Sequence, residues 1–540
     1  MMYAQVVFPI ASFTSFTYKI PSNIEPSIYV GCSVNAPFRK KNIIGYVIST
    51  HKTTSFKGKT HYIDSIYKGK AYISPDLWKV IIWMSKYYVS PIGLCVKTAL
   101  SSNILKDQNS HKSLYIEINH DYYNQLRGTL SKNQKKLIDI VLKSTQPVLA
   151  SSYKSKISNL YYVIDSLAKK NILSKIYFDK QDMYRSDSQK FTFTLSSSQS
   201  KIFNQIIPYI HSQKYHNFLL HGVPGSGKTE IYIKLALEAL AQNQSVIILI
   251  PEIILSTQMQ DRLKKYFGDT IAIWHSKMTS KDKQHTLKKI SSGEYKIIVG
   301  ARSCIFTPIS NLGLIVVDEE QDSSYKQDSP QPYYNARDIA IMRASYANCP
   351  IVLTSATPSL ESYYNTLINK SSLLTLKEKY YQSTTPKIEI INMLNQNNKD
   401  LIFSESLLNA IKETLLKNKQ CILLNNRRGY ATSIFSNNNK EPLLCTNCSV
   451  PMSFHKVSNM LLCHYCNSQH SYNQFSKNDV LLNGYGTEKV YEVINQELKN
   501  ANIIRVDSDS LSSKTKLETL LRNFSNGSID IMVGTQMISK

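Results

Sequence analysis

Hydrophobic and polar positions alternate along the chain with two periods, one typical of buried strands and one typical of amphipathic helices. Between residues 193 and about 370, short apolar runs that end in Gly, Ser, Thr or acidic residues are separated by helical patterns. The runs are FLLHG, SVIILIPE, YKIIVGARS, LGLIVVDEE and PIVLTSAT. Because buried parallel strands are apolar throughout and need helical crossovers, this region is predicted to form a parallel sheet covered by helices on both faces. A ligand is expected at the carboxyl ends of its strands.

The same pattern resumes between residues 386 and 540, where QCILLNN, NIIRVDSD and IDIMVGT read as further strands. A cysteine-containing insertion over residues 440–480 interrupts it. The chain is therefore predicted to be an α/β protein with two sheet-forming halves.

The first 180 residues follow a different pattern. Within residues 1–105, the β-like runs AQVVFPI, FTYKI and IGYVIST are separated by Pro, Gly and Asn, and apolar positions from 77 to 88 then predict a helix. Residues 106–116 are polar and are predicted to be a linker. Residues 117–180 contain two amphipathic helices, SKNQKKLIDIVLK and SNLYYVIDSLAKKNIL, the second leading into SKIYF. That order is typical of a winged-helix domain, although many three-helix modules share it.

Charge adds a candidate partner to this picture. The chain carries 64 Lys and Arg against 39 Asp and Glu, a net charge of +25. A chain this basic usually meets a polyanion; the alternative is the Lys-rich composition of an AT-biased genome, since Asn, Ile and Tyr are also abundant.

The apolar runs give no sign of a membrane or secreted protein. The start lacks a basic region followed by an apolar run, so no signal peptide is expected. The longest run, SVIILIPEIIL, is interrupted by Pro251 and Glu252 and falls short of the roughly 18 residues that span a bilayer. We therefore expect a cytoplasmic protein.

A phosphate-binding loop follows the first predicted strand of the larger sheet. GVPGSGKTE places Gly222, four residues, then Gly227, Lys228 and Thr229 between a strand and a helix, which is the context that this motif requires. The predicted ATP-binding residues of this loop are Gly222, Gly225, Ser226, Gly227, Lys228 and Thr229. Lys228 is expected to hold the β- and γ-phosphates, and the Thr229 hydroxyl is expected to bind Mg²⁺.

Acidic residues end another predicted strand. LGLIVVDEEQD delivers Asp318 and Glu319 to a strand end, where such an Asp holds Mg²⁺ and such a Glu orients or deprotonates the attacking water. The alternative is a solvated pair of surface carboxylates. The hydroxyls that end IVLTSATPS, Thr354, Ser355 and Thr357, are candidates for coupling the γ-phosphate to an outer groove.

Four of the nine cysteines form two CxxC pairs, Cys445 with Cys448 and Cys463 with Cys466. Pairs at this separation suit one tetrahedral Zn²⁺. In a reducing compartment zinc is favoured over a disulfide. Three histidines lie nearby, but four thiolates already complete a structural site.

Ten motifs of this chain resemble, in order, the superfamily 2 helicase motifs of the primosomal replication-restart helicase family, PriA or primosomal protein N′. They are GVPGSGKTE, LIPEIILSTQ, WHSKMT, GARSCIFTP, VVDEEQDSSYKQ, YYNARDIA, LTSATPSLES, NNRRGYA, GYGTEKVYEVI and VGTQMISK. At the front, VVFPIASFTSFTYKIP and YYVSPIG resemble that family's DNA 3′-end-binding domain, so the resemblance covers nearly the whole chain.

The resemblance implies a domain organisation and a function. Its domains are a β-rich 3′-end-binding domain (1–105), a winged-helix-like domain (117–180), a first RecA-like motor domain (193–370), and an incomplete second one (386–540) with a zinc-binding insertion (440–480). The implied activity is an ATP-dependent DNA helicase that binds forks with a free 3′ leading-strand end, unwinds 3′ to 5′ and starts primosome assembly. Its implied partners are forked and single-stranded DNA, primosome proteins, single-stranded DNA-binding protein and the helicase loader. A monomer is expected.

The resemblance also implies roles for single residues. Phe16 and Tyr18 fall in the family's 3′-end pocket, with Thr17 where the family has an acidic residue, and Lys59 is a candidate for the pocket lysine. Gln199 stands where many helicases read adenine.

Other carried-over roles concern the motor. Gln321 replaces the His of the family's Asp-Glu-Glu-His motif and keeps both a donor and an acceptor. Arg302, Tyr325 and Lys326 are candidate DNA contacts. Tyr325 and Lys326 lie in a loop that resembles the family's aromatic-rich loop, where stacking on single-stranded DNA is the functional interpretation and a packed loop is the alternative.

Two departures from the family bear on activity. The family has eight cysteines and two zincs, whereas one zinc is predicted here, so docking of primosome proteins is expected to be altered. Beyond GTQMISK the family continues with arginines that reach ATP, and such an arginine is worth roughly 10³ to 10⁵ in rate. A polypeptide of these 540 residues is therefore expected to bind ATP and DNA but to hydrolyse ATP slowly.

The sequence leaves two alternatives to a helicase. One is a fork-binding protein that does not unwind. The other is a translocase of a different class, which the front domain and the zinc insertion disfavour.

Overall fold

The computed structural model describes residues 2–39, 41–56, 58–67, 73–100, 113–119, 130–142, 148–154, 157–178, 193–251, 257–275, 278–380, 386–393, 402–425, 433–436, 441–456, 458–474, 480–507, 514–535 and 538. The chain forms two compact units, Met1–Tyr381 and Gln382–Lys540. In the described part of the chain, no helix has the length and apolar character needed to cross a membrane.

A six-stranded, mainly antiparallel sheet begins the first unit. Its strands are β1 (Met2–Val7), β2 (Phe16–Ile20), β3 (Ser33–Phe38), β4 (Lys41–His51), β5 (His61–Tyr62) and β6 (Ser65–Ile66). They lie in the order β5-β2-β1-β4-β3-β6. Two helices follow, α1 (Pro75–Tyr87) and α2 (Ile92–Ala99). The predicted helix is confirmed as α1, whose buried face includes Leu77, Val80 and Met84.

A small module comes next. Its elements are β7 (Ser113–Ile118), α3 (Lys132–Leu142), β8 (Val148–Leu149), α4 (Leu160–Lys169) and β9 (Leu173–Phe178), and its sheet has the order β8-β7-β9. Both predicted helices are confirmed. The predicted linker is wrong at its end, because residues 113–116 belong to β7 and pair with β9. The rest of that linker lies outside the described residues, and the winged-helix assignment stays a prediction.

A seven-stranded parallel sheet completes the first unit, as predicted. Its strands are β10 (Asn217–Gly222), β11 (Ser245–Leu249), β12 (Ile271–Trp274), β13 (Ile297–Gly300), β14 (Leu312–Val317), β15 (Ile351–Ser355) and β16 (Ser372–Leu376), in the order β12-β13-β11-β14-β15-β10-β16. Its helices are α5 (Ser197–His211), α6 (Lys228–Ala241), α7 (Thr257–Phe267), α8 (Ser280–Ser291), α9 (Ala336–Ala347) and α10 (Leu360–Leu367). The two edge strands, β12 and β16, were not among the predicted strands.

Helices cover both faces of this sheet. Along β11, Val246 and Ile248 join one buried apolar cluster with α5 and α6, whereas Ile247 and Leu249 join a second cluster with α9. This alternation follows from the two-residue period of a strand. The second cluster also contains the buried face of α1, so the front domain and the parallel sheet share one core.

The second unit contains a smaller parallel sheet and the cysteine-containing insertion. Its strands are β17 (Cys421–Leu424), β18 (Ser433–Ser436), β19 (Ser453–His455), β20 (Met460–Leu462), β21 (Gln469–Ser471), β22 (Val480–Asn483), β23 (Ile503–Val506) and β24 (Ile531–Gly534), and its helices are α11 (Glu405–Leu416), α12 (Thr487–Glu497) and α13 (Lys514–Ser525). Strands β17, β24 and β23 form the parallel sheet, and β19, β20 and β21 form an antiparallel meander. The three strands predicted for this half are confirmed.

Candidate functional site

Three sequence motifs meet at the carboxyl edge of the large sheet. Strand β10 pairs with β15, and β15 pairs with β14, in parallel. The glycine-rich loop follows β10, the acidic motif follows β14, and the hydroxyl motif ends β15. Parallel pairing therefore places all three motifs at one edge, where open α/β sheets bind their ligands.

The glycine-rich loop is wound to begin helix α6. Gly225 and Gly227 have φ values of +75° and +80°, and a Cβ at Gly227 would lie 2.2 Å from the Gln199 amide nitrogen. Glycine adopts this left-handed conformation without steric cost. Lys228 is the first residue of α6, so the unpaired amides of that helix and its dipole face an incoming phosphate.

The residues of this loop fit a triphosphate. Among the residues that the structure describes, the buried Ser226 hydroxyl has no hydrogen-bond partner, and a Cβ at Gly225 would meet open space. Lys228 Nζ donates to the Gly222 carbonyl at 2.8 Å, so the ammonium is held at the loop. Burial lowers the pKa of Lys228, and the charges of Glu319 and Asp318 act against that shift. Burial takes the Lys228 ammonium away from the water that stabilises its charge, and a bound anion would stabilise that charge instead.

Asp318 is buried and accepts hydrogen bonds from two hydroxyl groups. Thr354 Oγ1 donates to one carboxylate oxygen, and the Tyr232 hydroxyl donates to the other at 3.1 Å. Burial raises the pKa of Asp318, and the neighbouring Glu319 charge adds to the shift, while these hydrogen bonds and Lys228 oppose it. A buried carboxylate of this kind suits a cation, because a bound ion offsets the cost of keeping the charge.

A chain of hydrogen bonds connects the acidic motif to the hydroxyl motif. Gln321 Nε2 donates to Glu319 Oε2 at 2.7 Å, and Ser355 Oγ donates to Gln321 Oε1 at 2.6 Å. The Thr357 amide donates to the same serine oxygen at 2.9 Å. Since Ser355 Oγ accepts from an amide and donates onward, the Gln321 amide group has one consistent orientation. The hydroxyl motif thus contacts Asp318 through Thr354 and Glu319 through Gln321.

Glu320 supports the candidate site structurally, a role that sequence reasoning missed. Its side chain is 1% exposed and accepts hydrogen bonds from the Ser359 amide at 2.7 Å and the Ser362 hydroxyl at 2.7 Å. It also pairs with Arg337 at 3.1 Å. These bonds tie the acidic motif to the start of α10 and to α9. Three adjacent acidic residues were visible in the sequence, but nothing in it shows which one faces inward.

The structure assigns Gln199 to the framework of the loop. Its amide oxygen accepts from the Ser196 backbone at 2.9 Å, in a capping box that begins α5, and its nitrogen donates to the Ser226 carbonyl at 3.0 Å. The side chain is buried. Gln199 therefore braces the phosphate loop, and the adenine-reading role stays a prediction.

The stacking role predicted for Tyr325 is wrong for this structure. Its ring is 1% exposed, and its hydroxyl donates to the Asp318 carbonyl at 2.6 Å, so the packed-loop alternative holds. Lys326, the next residue, is exposed. Arg302 Nη1 donates to the Lys326 carbonyl at 2.6 Å and its guanidinium lies 5.9 Å from the Tyr334 ring centroid. Both cations remain candidate DNA contacts.

The candidate 3′-end residues lie on β2 and beside it. The Phe16 ring packs against Phe38 with centroids 5.1 Å apart, and the buried Tyr18 donates its hydroxyl to the Pro37 carbonyl at 2.7 Å. Burial raises the pKa of Tyr18. Lys59 is exposed and lies two residues before the start of β5, whose first residue pairs with Tyr18. Lys59 therefore precedes the short strand that pairs with β2, and its place in a 3′-end pocket stays a prediction.

Four thiols converge in the insertion of the second unit. The sulfur atoms of Cys445, Cys448, Cys463 and Cys466 all lie within 4.8 Å of one another, with Cys445 and Cys466 3.6 Å apart. A tetrahedral ion with Zn–S bonds of about 2.3 Å needs sulfurs about 3.8 Å apart, so this cluster fits Zn²⁺. A hydrogen bond from the Ser468 backbone is the main factor that lowers the pKa of Cys466, while the hydrogen bond with Cys466 is the main factor that raises the pKa of Cys448, so the thiols titrate as a group.

Comparison with known proteins identifies related domains along the chain. Three family models match the chain, namely the 3'DNA-binding domain (3'BD) over residues 5–101, the DEAD/DEAH box helicase over 197–366, and the PriA DNA helicase Cys-rich region (CRR) domain over 445–470.

Full-length relatives extend the match to the whole chain. The Replication restart protein PriA of Chlamydia pneumoniae is 34% identical over 561 residues, which cover 100% of this chain and 74% of that protein. Those of Rickettsia conorii and Bacillus subtilis are 32% identical over 546 residues and 29% identical over 625 residues, covering 72% and 77% of their lengths. The chain thus spans about three quarters of the length of these relatives.

Proposed function

Because the chain belongs to the PriA family of replication restart helicases, we propose that it recognises stalled or repaired replication forks, unwinds them 3′ to 5′ and starts primosome assembly. It is an ATP-dependent DNA helicase by its helicase domain and its relatives. The polarity, the preference for forks and the protein partners are the proposed part.

The observation that carries the proposal is the convergence of three motifs at one sheet edge. Lys228 and the amides of the glycine-rich loop bind the phosphates there. Glu319 accepts a proton from the attacking water, and Gln321 fixes the Glu319 carboxylate in place. Asp318 and Thr229 are the residues that would hold Mg²⁺, which neutralises charge that develops on the phosphates. Thr354 and Ser355, at the end of β15, connect that strand to the acidic motif by hydrogen bonds.

The front domain supports the preference for forks. Phe16 and Tyr18 on β2 and the exposed Lys59 are the candidates for holding a terminal nucleotide, and Thr17 accepts a hydrogen bond from Gln5 rather than offering a carboxylate. One zinc is proposed for the insertion, held by its four cysteines. By family, primosome proteins, single-stranded DNA-binding protein and the helicase loader are proposed partners of a cytoplasmic monomer.

Changing Lys228 to Ala tests this function. We expect K228A to lose ATP hydrolysis and strand displacement while it still binds forked DNA without nucleotide, because only the phosphate contact is removed. Strand displacement on forks with a 3′-tailed or a 5′-tailed template gives the polarity. Lys234, on the same helix, is the matched control, and K234A should unwind normally.

Retained unwinding by K228A, or displacement of 5′-tailed templates alone, would contradict the proposal. If the 540-residue protein binds forks and ATP but displaces no strand, the second candidate holds, a fork-binding protein without efficient unwinding.

A further inference from the structure

The end of helix α1 presents an exposed aromatic surface that the functions above do not use. Tyr87 is 61% exposed and Val89 is 75% exposed. The Tyr87 ring is stacked on Trp83, with centroids 4.6 Å apart and planes 19° from parallel. Since large apolar side chains are seldom grouped at a surface without a partner, this group points to a ligand.

One face of the Tyr87 ring is open. Tyr88 is perpendicular to both members of the stack, with its centroid 4.9 Å from Tyr87 and 5.8 Å from Trp83. A ring placed on the outer face of Tyr87 would be much farther from Trp83, so Tyr88 lies beside the stack. Trp83 is stacked on one face of the Tyr87 ring. The opposite face, called the outer face, is accessible to another aromatic ring.

The aromatic-rich loop extends this surface and adds positive charge. Lys326 Nζ lies 5.5 Å from the Tyr88 ring centroid and donates to the Tyr333 carbonyl at 2.6 Å. Tyr333 is itself 46% exposed. Lys86, next to Tyr87 in sequence, is exposed as well. Aromatic faces flanked by cations are the composition of surfaces that bind single-stranded nucleic acid.

The turn that carries Val89 is held firmly. Val89 has φ of 45°, a left-handed conformation that β-branched residues rarely adopt, at a helix end closed by a hydrogen bond from the Ser90 amide to the Ser85 carbonyl at 3.0 Å. After the turn, Gly93 packs so closely that a Cβ would lie 2.1 Å from the Ile10 carbonyl oxygen. The turn is therefore a rigid support.

We propose that Tyr87, Val89, Lys86, Lys326 and Tyr333 form a single-stranded DNA site, here called the Tyr87 platform, separate from the 3′-end pocket. One base stacks on the outer face of Tyr87, and the lysines neutralise neighbouring phosphates. This inference rests on the proposed helicase function, because it gives the unwound strand a path between the front domain and the motor.

The platform is also connected to the nucleotide site. The Tyr88 hydroxyl donates to Asp338 at 3.2 Å and accepts from the Asn335 amide at 3.1 Å. Asp338 pairs with Arg337, which pairs with Glu320 in the acidic motif. A strand bound at the platform thus contacts the loop whose far end reaches the ATP edge.

The test measures binding of a fluorescein-labelled oligothymidylate with a 3′-phosphate, which blocks the 3′-end pocket, by anisotropy without nucleotide. We expect Tyr87→Ala to weaken binding by roughly 5- to 150-fold, the range of one lost base–aromatic stack, and Tyr87→Phe to bind like the unchanged protein. Lys326→Ala should reduce the slope of log K against log salt by about one.

Binding by Tyr87→Ala within twofold of the unchanged protein would overturn the platform and favour a protein ligand for this surface. If Tyr87→Ala fails to fold, Tyr333→Ala and Lys326→Ala decide the question in its place. Because no ATP is present, an inactive motor leaves the result unaffected. A Tyr87 effect without 3′-to-5′ unwinding would keep the platform and reject the proposed function.

Discussion

Gln321 joins two strand ends of the candidate site by hydrogen bonds. It stands between Glu319, which faces the attacking water in the proposed mechanism, and Ser355 on the neighbouring strand. Its position is that of a residue that transmits a change at one strand end to the other. A histidine, the family's residue at this position, also offers one donor and one acceptor, so the exchange preserves the connection.

Changing Gln321 to Ala should therefore lower DNA-stimulated kcat for ATP by roughly 10- to 100-fold, because the Glu319 carboxylate loses the bond that orients it. The KM for ATP should change little, since Gln321 does not contact the phosphate loop. Steady-state ATPase assays with saturating single-stranded DNA measure both quantities. Gln321→His should retain most activity, and an alanine variant as active as the unchanged protein would rule out this positioning role.

Local sequence was sufficient to locate the candidate nucleotide-binding residues but not the residues that pack around them. The glycine-rich loop and Asp318 each come directly after a buried apolar strand in the sequence. Their position at the end of a strand can therefore be predicted from neighbouring residues alone. Glu320 and Tyr325 depend on contacts made elsewhere in the fold. The partners of Glu320 lie on α9 and α10, and Tyr325 is sealed against the strand that precedes it. An exposed or buried loop tyrosine looks the same in sequence.

At the scale of elements, helix α1 is locked onto helix α9 by a buried ion pair. Arg343 is 0% exposed, and its Nε donates to Asp76 Oδ2 at 2.9 Å. A second guanidinium nitrogen donates to the Ile305 carbonyl. Burial raises the pKa of Asp76, but the charge and hydrogen bonds of Arg343 outweigh it, so the pKa lies below its ordinary value.

Changing Asp76 to Asn should lower the free energy of unfolding of this core by about 3–5 kcal/mol, because Arg343 would keep a buried charge without its partner. Since the folded pKa of Asp76 is depressed, the stabilisation is complete at neutral pH and is lost as pH falls below about 4. The cost of D76N should therefore be constant from neutral to alkaline pH and shrink in acid. Urea unfolding followed by tryptophan fluorescence measures it.

Tryptophan reports on the right region, because Trp78 and Trp83 lie on α1 and Trp274 packs in the same core. The matched control is Glu294→Gln, which breaks the pair of an exposed glutamate with Lys289 beside the same core and should cost less than about 1 kcal/mol. If D76N costs no more than E294Q, the pair of Asp76 and Arg343 does not hold the helices together.

Elements were predicted best where burial is complete. Strands β11 and β14 are buried at every residue and read as unbroken apolar runs. The edge strand β16 alternates between buried and exposed positions, and the opposite edge strand, β12, has only four residues with the third half-buried, so neither stood out. Residues 113–116 of β7 were predicted as part of a linker because the preceding residues are polar. The strand pairs with β9, which is far away in sequence, so local sequence does not show it.

On the scale of the whole molecule, the cysteine-containing insertion is attached to helix α12 of the second unit through two carboxylates, those of Glu488 and Glu492. Glu488, on α12, accepts from the Lys456 amide at 3.1 Å and pairs with Arg505 at 3.1 Å. Lys456 also pairs with Glu492 at 2.8 Å. These bonds therefore attach the meander to helix α12. The four thiols hold the insertion together internally.

We expect one equivalent of zinc per chain, measured by plasma mass spectrometry of the purified protein. Cys463→Ser should reduce the bound zinc to a small fraction, because three thiolates bind Zn²⁺ far less tightly than four. Cys421, on β17 and outside the cluster, is the matched control, and C421S should keep its zinc. Two equivalents, or full occupancy in C463S, would contradict a single four-cysteine site.

The backbone at Glu319 has a consequence for how this protein can change. Its φ of 47° is left-handed, a conformation that costs a residue with a side chain about 1–2 kcal/mol and costs glycine nothing. Stability alone would favour glycine at this position, and the glycine protein would lose the carboxylate that the proposed mechanism uses as the base. In that mechanism, a stabilising change to glycine and a loss of ATP turnover are one and the same step.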